Sequence, residues 1–403
     1  MPRTRPADGR PRILVVGSSY MGDAMLAVPF LRGLGRAYPG HAVDLFAEGR
    51  IPAELLRGCP HLDEILPWRR PPKRPLPHEP REVRGRGMLP ALGNALACGA
   101  ALRERRYARA YVLKRSPSAA LVALRAGIPH RIGHAGKLLG PLLTRAVPLV
   151  PGRHRVDAWV DLLAGDGEPG DDGRLEAWPD TAALARIDRL LATWPAGRPR
   201  VFVAVTASDW RRQWPLDRWV EVIRSLVAER GCDIVLCGGP ADRAAHAALE
   251  AAAPGHVHDL SAAVPLRDLT ALLSRTALFL GIESGLMHVA AACGVPTITI
   301  FDPRTEAAWR ARGPAHVTIC ASAADAAGAT RRRQPPAAGA AWLAGEALAA
   351  VSVATVLEAA RAALPTAATQ RTIDLRTGRR RYAVDVRLAV PVVAEPEPAL
   401  AAG

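Results

Sequence analysis

The sequence predicts an α/β fold built from two successive halves, each a parallel sheet covered by helices. Three observations carry that expectation. Apolar strand-like runs alternate with helical segments along the chain, the alternation breaks in a transition zone at 178–199 and restarts, and a length of 403 residues favours two domains over one. Such alternation implies right-handed βαβ units.

RILVVG (12–17) is the first buried strand. A helix from about Asp23 to residue 38 follows, ended by Pro39 and Gly40. AVDLFA (42–47) is the second strand, a short helix covers 51–58, and EILPW (64–68) is the third strand. ARAYVLK (108–114) and HRIGHA (130–135) continue the sheet, and the transition zone holds a helix at 181–193. The second half begins with VFVAVTA (201–207). It alternates through a helix at 216–230, DIVLCGG (233–239), a helix at 241–253, HVHDL (256–260), a helix at 266–275, ALFLGI (277–282), the helix after Gly285, TITIF (297–301) and HVTIC (316–320). A helix at 352–364 closes the folded part. The expected organisation is therefore a disordered N-terminus (1–11), a first domain (12–178), a second domain (199–364) and a poorly ordered tail (365–403). Residues 69–87, proline-rich and basic, are expected as a solvated loop, with a flap that meets an anionic acceptor or a membrane as the alternative.

Hydrophobic residues make up 49% of the chain, enough for a sizeable core, and the formal net charge of +15 points to an anionic partner. No RNP aromatic motif, zinc finger or basic zipper accompanies that charge, so nucleic acid is not expected as the partner. The six cysteines include no Cys-x-x-Cys pair and no zinc spacing, and Cys232 and Cys237 fall on opposite faces of one strand, so free thiols in a reducing compartment are expected. Neither a signal peptide nor a membrane span is apparent. A cytoplasmic protein follows, with peripheral association at the inner face of the inner membrane left open by the charge.

Four segments carry the residue types that chemistry needs. GSSYMGDAML places Gly17, Ser18, Ser19 and Gly22 in a tight turn after the first strand and Asp23 at a helix start, where it is either a cap or a base. Its spacing is not G-x-G-x-x-G, which speaks against a dinucleotide. TASDWRRQWPLDRW offers the hydroxyls of Thr206 and Ser208 and the guanidinium of Arg212, suited to phosphate. In CGGPADRAAH, Asp242 can accept from ribose hydroxyls or cap the next helix. In GIESGLMHVAAACG, Glu283 ends a strand, Ser284 and Gly285 open a helix whose free amides attract an anion, and His288 lies one turn in.

Taken together, ILVVGSSYMGDAML, AGIPHRIGH, RRQWPLDRW and ESGLMHVAAACGVPTITIFDP resemble glycosyltransferase family nine, the lipopolysaccharide heptosyltransferases, over about residues 12–364. The resemblance implies a GT-B fold: two Rossmann-like α/β/α domains facing across a central cleft, acceptor on the first, nucleotide sugar on the second, with no metal and no other cofactor. It implies an inverting transfer, most readily of heptose from ADP-heptose to an anionic glycolipid of the lipopolysaccharide core type. Asp23 matches the general base. Arg212 stands where the family usually has Lys, and would balance charge on the departing diphosphate. Glu283 stands where the family usually has Asp, on the donor sugar. Ser284, Gly285 and His288 match the diphosphate side, Thr206 and Ser208 the hydroxyl pair, and Asp242 an acidic residue near the ribose. The acceptor side is assigned to Lys114, Ser116, His130 and Arg131. Two alternatives stand beside this: the same fold serving another nucleotide sugar and glycan, and a non-catalytic sugar-nucleotide-binding protein.

Overall fold

A computed structural model of the chain describes residues 9–68, 88–136, 140–164, 171–313, 315–320 and 344–364. The first half begins with β1 (Arg12–Val16), α1 (Met21–Leu26), α2 (Val28–Ala37), β2 (Ala42–Glu48), α3 (Ile51–Leu55) and β3 (Glu64–Trp68). It continues through α4 (Met88–Leu102), β4 (Arg109–Val112), α5 (Pro117–Arg125), β5 (His130–His134), β6 (Arg145–Val147) and α6 (Arg155–Ala164). The second half comprises α7 (Thr181–Leu191), β7 (Arg200–Ala204), α8 (Leu216–Arg230), β8 (Asp233–Leu236), α9 (Arg243–Ala252), β9 (Val257–Asp259), α10 (Leu269–Leu273) and β10 (Leu278–Ile282). It ends with α11 (Gly285–Ala292), β11 (Thr297–Phe301), α12 (Glu306–Trp309), β12 (His316–Cys320), α13 (Glu346–Ala349) and α14 (Val353–Ala363).

Each half holds a six-stranded sheet, β3-β2-β1-β4-β5-β6 in the first and β12-β11-β10-β7-β8-β9 in the second. All pairings are parallel. Counted from its own first strand, the second sheet repeats the winding of the first. β1, β2, β8, β10 and β11 are buried from end to end, and β7 from its second residue on, because helices cover both faces of a parallel sheet and every side chain then needs an apolar neighbour. The core is continuous across the halves: Met25, Leu26 and Leu31 share one packed cluster with Leu272, Met287 and Ala291.

At the amino end of the first sheet, Asp44 is fully buried and is satisfied from three directions. Arg12 donates to it at 2.8 and 3.1 Å, the Tyr107 hydroxyl at 2.7 Å and Arg105 at 3.3 Å, while Arg105 also pairs with Glu64 at 2.6 Å. α7 sides with the second half through Arg186–Asp268 (2.6 Å) and Asp188–Arg275 (2.6 Å). The first turn of α6 crosses to the second half, where His154 Nε2 donates to the Arg310 carbonyl at 2.9 Å and Arg312 pairs with Asp157 at 2.7 Å.

Several expectations need correction. The helix expected from Asp23 to residue 38 is two helices that meet at Ala27, with Pro29 in the first turn of the second. The first of them starts at Met21, so Asp23 is its third residue and the N-cap is Tyr20. α4, α5, β6, α6, α12 and α13 were not anticipated. Residues 9–11 are ordered, with Arg10 paired to Asp63 at 2.5 Å and the Pro11 carbonyl accepting from Ala42. The six cysteines are free, as expected. The basic segment 69–87 and the tail 365–403 lie outside the described residues. No described helix is long and apolar enough to cross a membrane.

Removing one member of a buried charged cluster strands the others, so Asp44→Ala should lower stability by about 3–5 kcal/mol. Urea denaturation checks this; a loss below about 1 kcal/mol would mean that the cluster contributes little.

Candidate active site

In open parallel sheets, ligands bind beyond the carboxyl ends of the strands, where the winding reverses. The first sheet reverses between β1 and β4, the second between β7 and β10. The first crevice therefore holds the loop after β1, α1 and Lys114; the second holds the loop after β7 and the turn Glu283–Gly285. α1 packs against α11, which turns the two crevices toward each other.

The closest approach falls on two glycines. A Cβ placed on Gly285 would lie 2.7 Å from Met21 Cβ and 3.0 Å from the Gly22 nitrogen; one placed on Gly22 would lie 2.9 Å from His288 Cδ2. Neither Tyr20 nor Ser284, the N-caps of α1 and α11, caps its helix with a side chain, whereas Ser116, Asp180 and Ser352 do so at α5, α7 and α14. The first-turn amides of α11 are left without a side-chain acceptor and carry the positive end of its dipole.

Asp23 sits in the first turn of α1, and its carboxylate accepts from the Ser18 hydroxyl. Burial pushes its carboxyl above the ordinary carboxylate value, against the Ser18 hydrogen bond and the positive charges of Arg155 and Lys114, which pull it down. Gly17 holds the loop to the sheet by donating to the Phe46 carbonyl at 2.9 Å, and a Cβ there would meet Leu45 Cδ1 at 2.9 Å. Ser19 is half-buried in the same loop. Lys114 is held by Glu48 at 3.0 Å, with its ammonium 5.6 Å from the Trp68 ring centroid.

Across the cleft, Glu283 is buried at the end of β10. Thr305 donates to its Oε2 at 2.5 Å, and Arg212 lies 3.4 Å from its Oε1. Burial again pushes this carboxyl up, opposed by Thr305 and Arg212. The same guanidinium donates to Ser208 Oγ at 2.9 Å, and Thr206 is half-buried in that loop. Two polar atoms here are buried without a partner, Ser284 Oγ and His288 Nδ1. Complete burial lowers the His288 imidazole to about 3, so it is neutral at ordinary pH.

Asp242 shapes the turn after β8, where its Oδ2 accepts from the Gly239 amide at 2.6 Å. The Gly238 amide is taken by Ser261 Oγ at 2.9 Å, so this glycine pair is not an open phosphate cradle. Among the described residues, no group of three or more His, Cys, Asp or Glu is arranged to hold a metal ion.

Ser116 lies at the carboxyl end of the first sheet, where its Oγ accepts from the Ala119 amide at 3.3 Å as the cap of α5. His130 and Arg131 do not join the site. They open β5 at the amino end of the sheet, and Arg131 spends its guanidinium on the carbonyls of Ile128 (2.6 Å) and Leu142 (2.9 Å). Sequence reasoning missed Thr305, which follows β11 at its carboxyl end, and Arg155 and Trp309, which meet only in three dimensions.

The description "Glycosyltransferase family 9 (heptosyltransferase)" matches residues 95–338. Lipopolysaccharide heptosyltransferase 2 of Escherichia coli (strain K12) is 29% identical over 72% of this chain and 83% of its own length. Lipooligosaccharide heptosyltransferase 2 of Haemophilus influenzae is 26% identical over 72% of this chain and 83% of its own length. Among solved structures, E. coli ADP-heptose lipopolysaccharide heptosyltransferase II superposes with a TM-score of 0.69 at 24% identity, covering 87% of this chain and 98% of that one. An E. coli heptosyltransferase with ADP-2-deoxy-2-fluoro heptose gives 0.60 at 18% identity, covering 87% and 99%. The shared architecture is GT-B, two Rossmann-like domains facing across a cleft.

Gly285→Ala should force α1 and α11 apart, costing about 1–3 kcal/mol and enlarging the particle in small-angle scattering; unchanged size and stability would contradict the contact. Because burial raises the folded-state value of Asp23, its contribution to stability is full below the ordinary carboxylate range and is lost as pH rises through the raised value. Asp23→Asn should therefore melt higher than the natural chain at pH 8 and no higher at strongly acid pH, which differential scanning calorimetry reads directly.

Proposed function

Since the chain belongs to glycosyltransferase family 9, we propose that it moves heptose from ADP-heptose to a lipopolysaccharide-core-type glycolipid, with inversion and without a metal ion. The observation that supports this most is the juxtaposition across the Gly22–Gly285 contact: Asp23, a half-buried carboxylate in the first turn of α1, follows the glycine that packs on α11, whose open first-turn amides follow the Arg212–Glu283 pair.

Asp23 takes the proton from the acceptor hydroxyl while that oxygen attacks the anomeric carbon. The bond from that carbon to the diphosphate oxygen breaks, and ADP leaves with the electron pair. Burial makes Asp23 the stronger base, and Arg155 and Lys114 favour its ionised form. Arg212 and the amino end of α11 stabilise the negative charge that grows on the diphosphate. Glu283, steadied by Thr305, holds sugar hydroxyls. The family's relatives named above act on lipopolysaccharide or lipooligosaccharide, and the net charge of +15 suits an anionic acceptor at the inner face of the inner membrane.

A second reading keeps this fold and mechanism but changes the sugar. It is favoured by Arg212 and Glu283, which replace the usual Lys and Asp of the family and contact each other. Lengthening one member of a contacting pair by a methylene reshapes the sugar subsite.

Calorimetric titration with ADP-heptose, UDP-glucose and GDP-mannose in the presence of EDTA tests the donor. Selective binding of ADP-heptose is expected; preference for another nucleotide sugar would move the function to the second reading. With donor and acceptor supplied, Asp23→Ala should lower ADP release by about 10²–10⁴-fold while donor affinity changes little. Equal loss of both would make Asp23 a structural residue.

A further inference from the structure

Arg155 has no role in the fold that explains its surroundings. Its guanidinium lies 4.6 Å from the ring centroid of Trp309, which belongs to the second half, and 5.9 Å from that of Trp159 in its own helix. Its Nε is buried with no hydrogen-bond partner. The residues on either side are fastened to the same stretch of the second half, His154 to the Arg310 carbonyl and Asp157 to Arg312. Three of the four residues 154–157 thus engage residues 309–312.

We propose that the first turn of α6 and residues 309–312 form a clasp between the halves, and that Arg155, seated in it by Trp309, is a positioning residue that sets its positive charge beside the Asp23 carboxylate. This rests on Asp23 being the base. Among the described residues, few groups act on Asp23. Ser18 in its own loop donates to it, Lys114 after β4 and Arg155 on α6 act on it by charge, and His288 on α11 packs against neighbouring Gly22 as a neutral ring. His154, beside Arg155, is neutral too, lowered to about 4 by burial. Arg115 faces Arg155 and, like its burial, makes its charge costlier to keep.

The two cations differ in what holds them. Lys114 is anchored inside the first half by Glu48 and Trp68 and stays with Asp23 whatever the second half does. Arg155 is wedged against a ring of the second half, and its neighbours are bonded there. When the halves part, Trp309, Arg310 and Arg312 withdraw together, and Arg155 loses the surface that orients it. The charge balance at the base thereby depends on closure. A guanidinium over an aromatic ring suits this task, because the ring can hold it without taking up its N–H donors.

The test uses the full chain with Arg155→Met, Arg155→Lys and Trp309→Leu. Two readouts are taken: the titration of the Asp23 carboxyl carbon by NMR, and the pH profile of kcat/KM. Loss of the cation should move the Asp23 titration and the acid limb of the profile to higher pH in Arg155→Met, and Trp309→Leu should move both in the same direction. kcat/KM should fall several-fold on the acid side and less than about twofold on the alkaline plateau, where Asp23 is ionised regardless. Arg155→Lys should recover most of the shift.

An unmoved titration with a raised acceptor KM would make Arg155 a substrate-binding arm and overturn the proposal. A shift in Arg155→Met with none in Trp309→Leu would overturn the clasp. Should the natural chain turn over no donor at all, the function proposed above fails, while the NMR titration still decides between these outcomes.

Discussion

Two parallel sheets wound in the same order impose the constraint on which everything else rests. A parallel sheet covered on both faces has one place where neighbouring helices diverge, beyond the carboxyl ends at the reversal of winding. With two such sheets and α1 packed on α11, both openings converge on one cleft. A side chain reaches it most directly by following a strand that borders the reversal. Asp23, Lys114, Arg212 and Glu283 all do so; His130 and Arg131, at the opposite end of β5, do not. The buried cluster around Asp44 occupies that opposite end, where it ties β1, β2 and the segment before β4 without entering the cleft.

Two carboxylates of the cleft, Asp23 and Glu283, are each pushed toward the protonated form by burial and returned toward ionisation by local partners. On the first half those partners are a hydroxyl and two cations that act through space. On the second half they are a threonine hydroxyl and a contacting arginine. Direct pairing leaves Glu283 a fixed acceptor, while Asp23, touched by Ser18 and influenced by charges that do not pair with it, keeps an oxygen able to take a proton. The histidines nearby are neutral, so the charge pattern of the cleft is set by Arg, Lys, Asp and Glu.

How much of this could be seen in the sequence depended on the range of the contacts involved. The strands of both sheets were legible because doubly covered parallel strands are unbroken apolar runs. The residues at their carboxyl ends were legible for the same reason, since locating a strand locates its end. α4 was not: MLPALGNALACGAAL carries no charge and so shows no polar face to reveal its period. β6, RAV, opens on an arginine and offers no apolar run. The split between α1 and α2 was hidden because Pro29 is acceptable in the first turn of a new helix and therefore reads as helix on both sides. The capping role offered for Asp23 failed for a local reason, a helix that begins two residues earlier. Residues 154–157 and 309–312 carry no mutual signal, because their meeting depends on how the halves are set against each other.

The glycine contact between α1 and α11 also fixes a spacing. Met21 and Gly22 press on the very turn of α11 whose amides are open, with no side chain between the backbones that could swing aside. Main chain therefore sets the spacing of the two helices at that point, and no change of rotamer in either half can widen it. A group bound on those amides meets a wall of fixed shape, so its fit there is decided by bulk and not by any side chain yielding to it.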